Sequence, residues 1–93
     1  MKLLMIVVDS ECKEELEVLL NRRKVGYTEI PDAHGVGTTG VRMGSRAFPK
    51  TSSLIFTVLP DDQVESLRDE ILGFCEACER HMKMFGWTAD EVV

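Results

Sequence analysis

The sequence predicts an α+β domain in which a four-stranded antiparallel sheet carries two helices on one face, in the order strand, helix, strand, strand, helix, strand. Three observations predict it. Two short, almost wholly apolar runs, Lys2–Val8 and Leu54–Leu59, read as strands buried on both faces, whereas the runs at Val25–Ile30 and His81–Trp87 are more polar. Each apolar run is followed by a stretch with helical spacing of its apolar residues. In a split βαβ, ferredoxin-like sheet the first and third strands form the central pair and the second and fourth the edges, so composition and topology agree.

Each element has its own local signals. After the first strand, Ser10–Lys24 offers Asp9 or Ser10 as a cap, acids Glu11, Glu14 and Glu15 in the first turn, and Arg22, Arg23 and Lys24 at the end, a charge order that suits the helix dipole. Its stripe is Cys12, Leu16, Leu19 and Leu20. In the second strand, Pro31 cannot donate to a ladder and favours an edge. Pro60-Asp61-Asp62 opens the second helix with Asp62 and Glu65 spaced as a capping box, and Val64, Leu67, Ile71, Cys75 and Cys78 form its core face. Phe85 and Trp87 alternate along the last strand and read as packing residues. Two helices cover one sheet face, yet strands one and three are apolar on both, so the open face predicts an oligomer.

The chain of 93 residues is one domain, without repeats or low-complexity tracts. Its net charge of -5 argues against nucleic-acid binding, which needs a basic surface. No apolar run approaches the ~20 residues of a membrane span, and Met1–Glu11 reaches acids too early for a signal peptide, so a cytoplasmic location is expected. Three cysteines, Cys12, Cys75 and Cys78, are then expected as thiols rather than a disulfide scaffold.

Against that acidic background, His34–Thr51 holds four of the seven glycines and three bases and no acid. Gly35, Gly37 and Gly40 fit the pattern GxGxxG, but Pro49 and a strand follow where a dinucleotide-binding unit needs a helix, so that fold is rejected. The physics of such a loop survives. Glycines let backbone N–H groups approach an oxyanion, Thr38 and Thr39 add hydroxyls, and Arg42, Arg46 and Lys50 supply charge. The competing reading is a solvated hairpin loop, but a connection this long exceeds the usual ~2–5 residues, and long loops are disproportionately functional. His34 at the root stands either as an anion or metal contact or as a turn residue.

At GYTE (Gly26–Glu29) followed by HGVG (His34–Gly37), with this element order over nearly the whole chain, the sequence resembles the PII signal-transduction family and its PII-like relatives. The resemblance implies a homotrimer with a long flexible T-loop between strands two and three, here residues 34–51. It also implies an adenine nucleotide held near the loop root between subunits, and a protein target such as a transporter or enzyme controlled by the loop. Thr28, His34, Gly35, Gly37, Thr38, Thr39, Arg42, Arg46 and Lys50 are the effector or anion candidates that follow. The chain departs from the family where a Gly-rich, Lys-containing phosphate loop follows the second helix; here the residues are FCEACERHMKM, and the carboxy terminus is the acidic ADEVV.

Two other functions are open to the same fold. Cys75, Cys78 and His81 at equal spacing could hold zinc or monovalent copper, as in a metal-responsive trimer of the CutA kind or a PII-like protein tied to metal efflux, although both cysteines also continue the core stripe. An adaptor trimer without a small ligand is the other. Catalysis is not expected: no serine sits in a nucleophile elbow, and Asp9-Ser10-Glu11 would repel a phosphate where an acylphosphatase binds one.

Overall fold

In the computed structural model, which describes residues 1–38, 40–73 and 82–93 in full and the backbone of Phe74, the chain order is β1 (Lys2–Asp9), α1 (Lys13–Arg22), β2 (Thr28–Ala33), β3 (Gly35–Gly37), β4 (Gly40–Arg42), β5 (Ser52–Leu59), α2 (Asp61–Phe74) and β6 (Met82–Thr88). The main sheet runs β2-β5-β1-β6, with all three pairings antiparallel. The apolar strands are the central pair and the polar ones the edges, as their composition demands.

Alternation along the central strands divides the molecule. Leu4, Ile6 and Val8 of β1 and Ile55 and Leu59 of β5 pack under Leu16, Leu19 and Leu20 of α1 and Leu67 and Ile71 of α2. Met82 and Met84 of β6 close the edge of this core. The intervening residues point to the other face. Register places Met5 opposite both Phe56 and Phe85, Leu3 opposite Val58 and Trp87, and Val7 opposite Leu54 and Lys83. No second layer covers this apolar face among the described residues, and Phe85 and Trp87 stand about half exposed on it, at 49% and 48%.

The helix ends differ from the sequence expectation because tertiary contacts take the capping groups. Cys12 is the N-cap of α1 and makes no side-chain cap bond; its N–H donates to the Asp9 carbonyl at 2.8 Å. The Ser10 hydroxyl is instead 2.7 Å from that of Thr51, and the Asp9 carboxylate is occupied by Arg42. At the other end, Lys24 N–H donates to Asn21 O and Val25 N–H to Leu20 O, a Schellman closure that forces Lys24 to φ 59°. In α2, Asp61 and Asp62 are the first helical residues, so Asp62 lies within the first turn and the expected Asp62/Glu65 capping box is displaced by one Pro60 carbonyl bond to Gln63.

Strand β2 begins at Thr28 and continues through Pro31, later than the expected Val25–Ile30. A register irregularity between Ile30 and Ala33, with Asp32 at φ 56°, accommodates the proline at the edge. The Gly-rich segment is also more ordered than a plain loop. β3 and β4 pair as a two-stranded ribbon, Gly35 with Arg42 and Gly37 with Gly40. Beyond it, Ser45 N–H and Met43 N–H both donate to the Phe48 carbonyl, and Gly44 N–H to that of Lys50, closing a compact turn. Cys12, expected as a thiol, is disulfide-bonded. An odd cysteine count excludes complete pairing, not a single pair.

Candidate functional site

Where β1 ends, the ribbon and the rim of the sheet border a half-open cavity of about 270 Å³. Gly35, Val36, Gly37, Thr38 and Gly40 line it from the ribbon, Val7, Asp9 and Ser52 from the central strands, and Lys83 and Phe85 from β6; Met82 and Arg42 complete it. The sheet register explains the convergence. Val7 and Lys83 are opposite one another on the open face, and Asp9 is two residues beyond Val7 on the same side.

Arg42 carries the ribbon's side of the site. Its Nε donates to Asp9 Oδ1 and its Nη2 to Oδ2 at 3.1 Å, a two-point charged contact between residues 33 apart in sequence. Both are buried, Arg42 at 7% exposure and Asp9 at 5%. The hydrogen bond to Asp9 raises the Arg42 pKa above its ordinary value, against the desolvation that lowers it. Gly40 adopts φ 128°, and a Cβ there would stand 3.3 Å from Arg42 Nη1, so glycine lets the ribbon pass close to the guanidinium.

Within the cavity, Asp9 offsets the charge of Arg42 and Lys83 adds a second cation that forms no ion pair among the described residues. A site with one net positive charge, lined by glycines that leave it open, suits a small oxyanion.

Of the residues singled out by sequence, Gly35, Gly37, Thr38 and Arg42 come together here. The others are placed elsewhere. Thr28 is on β2 opposite Phe56, exposed at the far edge. His34 packs at Gly44, which has φ 60°, and a Cβ on Gly44 would lie 3.1 Å from His34 Nε2. Lys50 is 3.4 Å from Glu11 beside a separate shallow groove, and Arg46 is exposed in the turn beyond the ribbon. Thr39, Cys75, Cys78 and His81 lie outside the described residues. Among the described residues, no group of three or more His, Cys, Asp or Glu side chains is placed to hold a metal ion.

Sequence reasoning missed Asp9 and Lys83 as lining residues and singled out Gly40, which also lines the cavity, only within the glycine pattern. Lys83 had a signal: it is the one charged residue in the Met82–Thr88 run and falls on the same alternation as Phe85 and Trp87. Asp9 had none, because its position before a helix reads locally as a cap.

No protein-family model matches the sequence, and no curated protein matches it. Solved structures do. CPII from Thiomonas intermedia K12, a nitrogen regulatory PII-like protein bound to ADP, AMP and bicarbonate, matches at 27% identity and a TM-score of 0.73 over 91% of this chain and 86% of its own. The chain is similar to PII-like proteins in fold and sequence. CPII bound to ADP and bicarbonate matches the PII-like chain at 28% identity and a TM-score of 0.74, covering 92% of it and 82% of the CPII chain. The apo form of CPII shares the fold at 24% identity and a TM-score of 0.67, over 92% and 85%. No helix among the described residues of the PII-like chain is long and apolar enough to cross a membrane.

Proposed function

We propose that this PII-like chain is a trimeric cytoplasmic regulator, not an enzyme, that binds a small anionic effector of the adenine-nucleotide or bicarbonate class at the root of the Gly-rich ribbon. Residues 34–51 then control a protein target such as a transporter or enzyme. The observation that carries this reading is the ribbon-root cavity, which combines Gly35, Gly37 and Thr38 with Arg42 and Lys83 in a chain whose relatives are bound to ADP, AMP and bicarbonate. The uncovered apolar face with Phe85, Trp87 and Val58 supports the trimer, since each of these half-exposed side chains gains on the order of 1 kcal/mol when its remaining surface is buried. The exposed turn at Ser45–Phe48, with Arg46 and Phe48 turned outward, supports the target contact.

A thermal-shift panel with AMP, ADP, ATP, bicarbonate and zinc tests it. A ligand at a hundred times its dissociation constant adds about 2.7 kcal/mol per site, which is many degrees for a domain of this size. A rise with AMP, ADP or bicarbonate supports the reading. A flat response to all three, or a rise with zinc alone, contradicts it.

A further inference from the structure

The cavity proposed to take an anion already contains one. Asp9 lies at the end of β1, buried, with both carboxylate oxygens on the guanidinium of Arg42, and both residues line the same cavity. A guanidinium fork accepts a carboxylate or a phosphate in the same two-point geometry, so Asp9 presents to Arg42 the very chemistry that an oxyanion effector would present. The pairing is not a by-product of local sequence. The two residues are 33 positions apart, and bringing them together removes Asp9 from the helix-cap role that its neighbours favour. The backbone bonds of β3 and β4 run between those two strands, and the Arg42–Asp9 pair ties the ribbon to the sheet.

Resting on the effector reading above, we propose that Asp9 is an internal competitor for the effector. In the ligand-free protein it holds the guanidinium of Arg42; an incoming carboxylate, bicarbonate or phosphate takes Arg42 from it, with Lys83 as the second cation of the occupied site. The Asp9 carboxylate is released toward water at the strand end. Asp9 thereby sets the effector threshold, because every binding event must first displace a buried, two-point ion pair, and it couples occupancy to the attachment of the ribbon. The exchange explains why an acid is buried in a cavity otherwise suited to anions.

Calorimetric titration of AMP and of bicarbonate into wild type and Asp9→Asn, each confirmed as folded by circular dichroism, provides the first arm. Removing the competitor is expected to tighten binding by about tenfold or more, since a charged two-point partner no longer has to be displaced. Equal or weaker binding by a folded Asp9→Asn protein overturns the proposal while wild-type binding leaves the effector reading standing. Carbon-13 NMR of the aspartate carboxylates in wild type is the second arm, independent of the variant. On addition of AMP or bicarbonate the Asp9 signal is expected to move to the position of solvated carboxylates, and a signal unmoved at saturation overturns the exchange. If neither protein binds either probe, the effector reading falls and the competitor role with it.

Discussion

Replacing Arg42 by alanine tests the structural half of this account, because the two arginines of the loop, which look equivalent in sequence, are not equivalent in the fold. Arg42 is 7% exposed and its partner Asp9 5%, so truncation leaves an ionised carboxylate in a buried site without the guanidinium that compensates it. Removing one partner of a buried pair costs about 3–5 kcal/mol, a large share of the ~5–15 kcal/mol that holds a small domain together. For a chain of this length each kcal/mol moves the midpoint by about 4–8 °C, so Arg42→Ala is expected to lower Tm by about 12 °C or more. Arg46, exposed in the turn, is the control, and Arg46→Ala should stay within about 0.5 kcal/mol of wild type. Thermal unfolding followed by circular dichroism at one fixed protein concentration measures both, with Asp9→Asn/Arg42→Ala added to read the coupling. The double variant should recover part of the loss because no unpaired charge remains. An Arg42→Ala protein melting within about 2 °C of wild type would refute the buried pair as the tie between ribbon and sheet.

Other consequences are more local. Ser53 is fully buried and its hydroxyl has no hydrogen-bond partner among the described residues, so Ser53→Ala should stabilise the protein by about 1 kcal/mol in thermal or urea unfolding. Lys24 closes the Schellman turn of α1 at φ 59°, and Lys24→Gly should add about 0.5–1 kcal/mol by removing the left-handed penalty, net of the entropy that glycine brings to the unfolded chain. Gly44→Ala meets both a positive φ and the His34 ring; it should cost about 1–2 kcal/mol, part of which His34→Ala returns in a double variant measured the same way. Phe85→Glu places a charge on the open sheet face, and light scattering should then fall from three times the 10.5 kDa chain mass to that of a single chain. Wild type already scattering as a single chain would contradict the trimer.

The main sheet was legible because its signals are local and redundant. Lys2–Val8 and Leu54–Leu59 are apolar on both alternations, which only a central strand explains, and the stripe of Leu16, Leu19 and Leu20 requires a helix lying on them. The ribbon was not legible. Gly35, Gly37 and Gly40 carry no side chains whose periodicity could announce strands, and a pairing as short as three residues is settled by where the ends are anchored. That anchor, Asp9 to Arg42, is tertiary. Viewed locally, Asp9 before a helix is a cap and Arg42 among glycines is a free cation, and each reading was displaced by the other residue arriving from 33 positions away. Arg46 and Lys50 show the converse: they share Arg42's composition signal, but the turn closed by Ser45, Phe48 and Gly44 carries them away from the cavity, so charge concentrated along the chain is not concentrated in space.

The measurement that bears most directly on the ribbon-root site is an AMP and bicarbonate titration followed by amide NMR shifts in the wild-type protein. The account predicts saturable changes concentrated in the amides of Gly35, Gly37, Thr38, Gly40 and Arg42 and in Lys83 across the cavity, with α2 between Asp61 and Ile71 unmoved. Saturable binding whose shifts cluster on α2 or around Lys50 and Glu11, and leave Gly35–Arg42 unchanged, would contradict it.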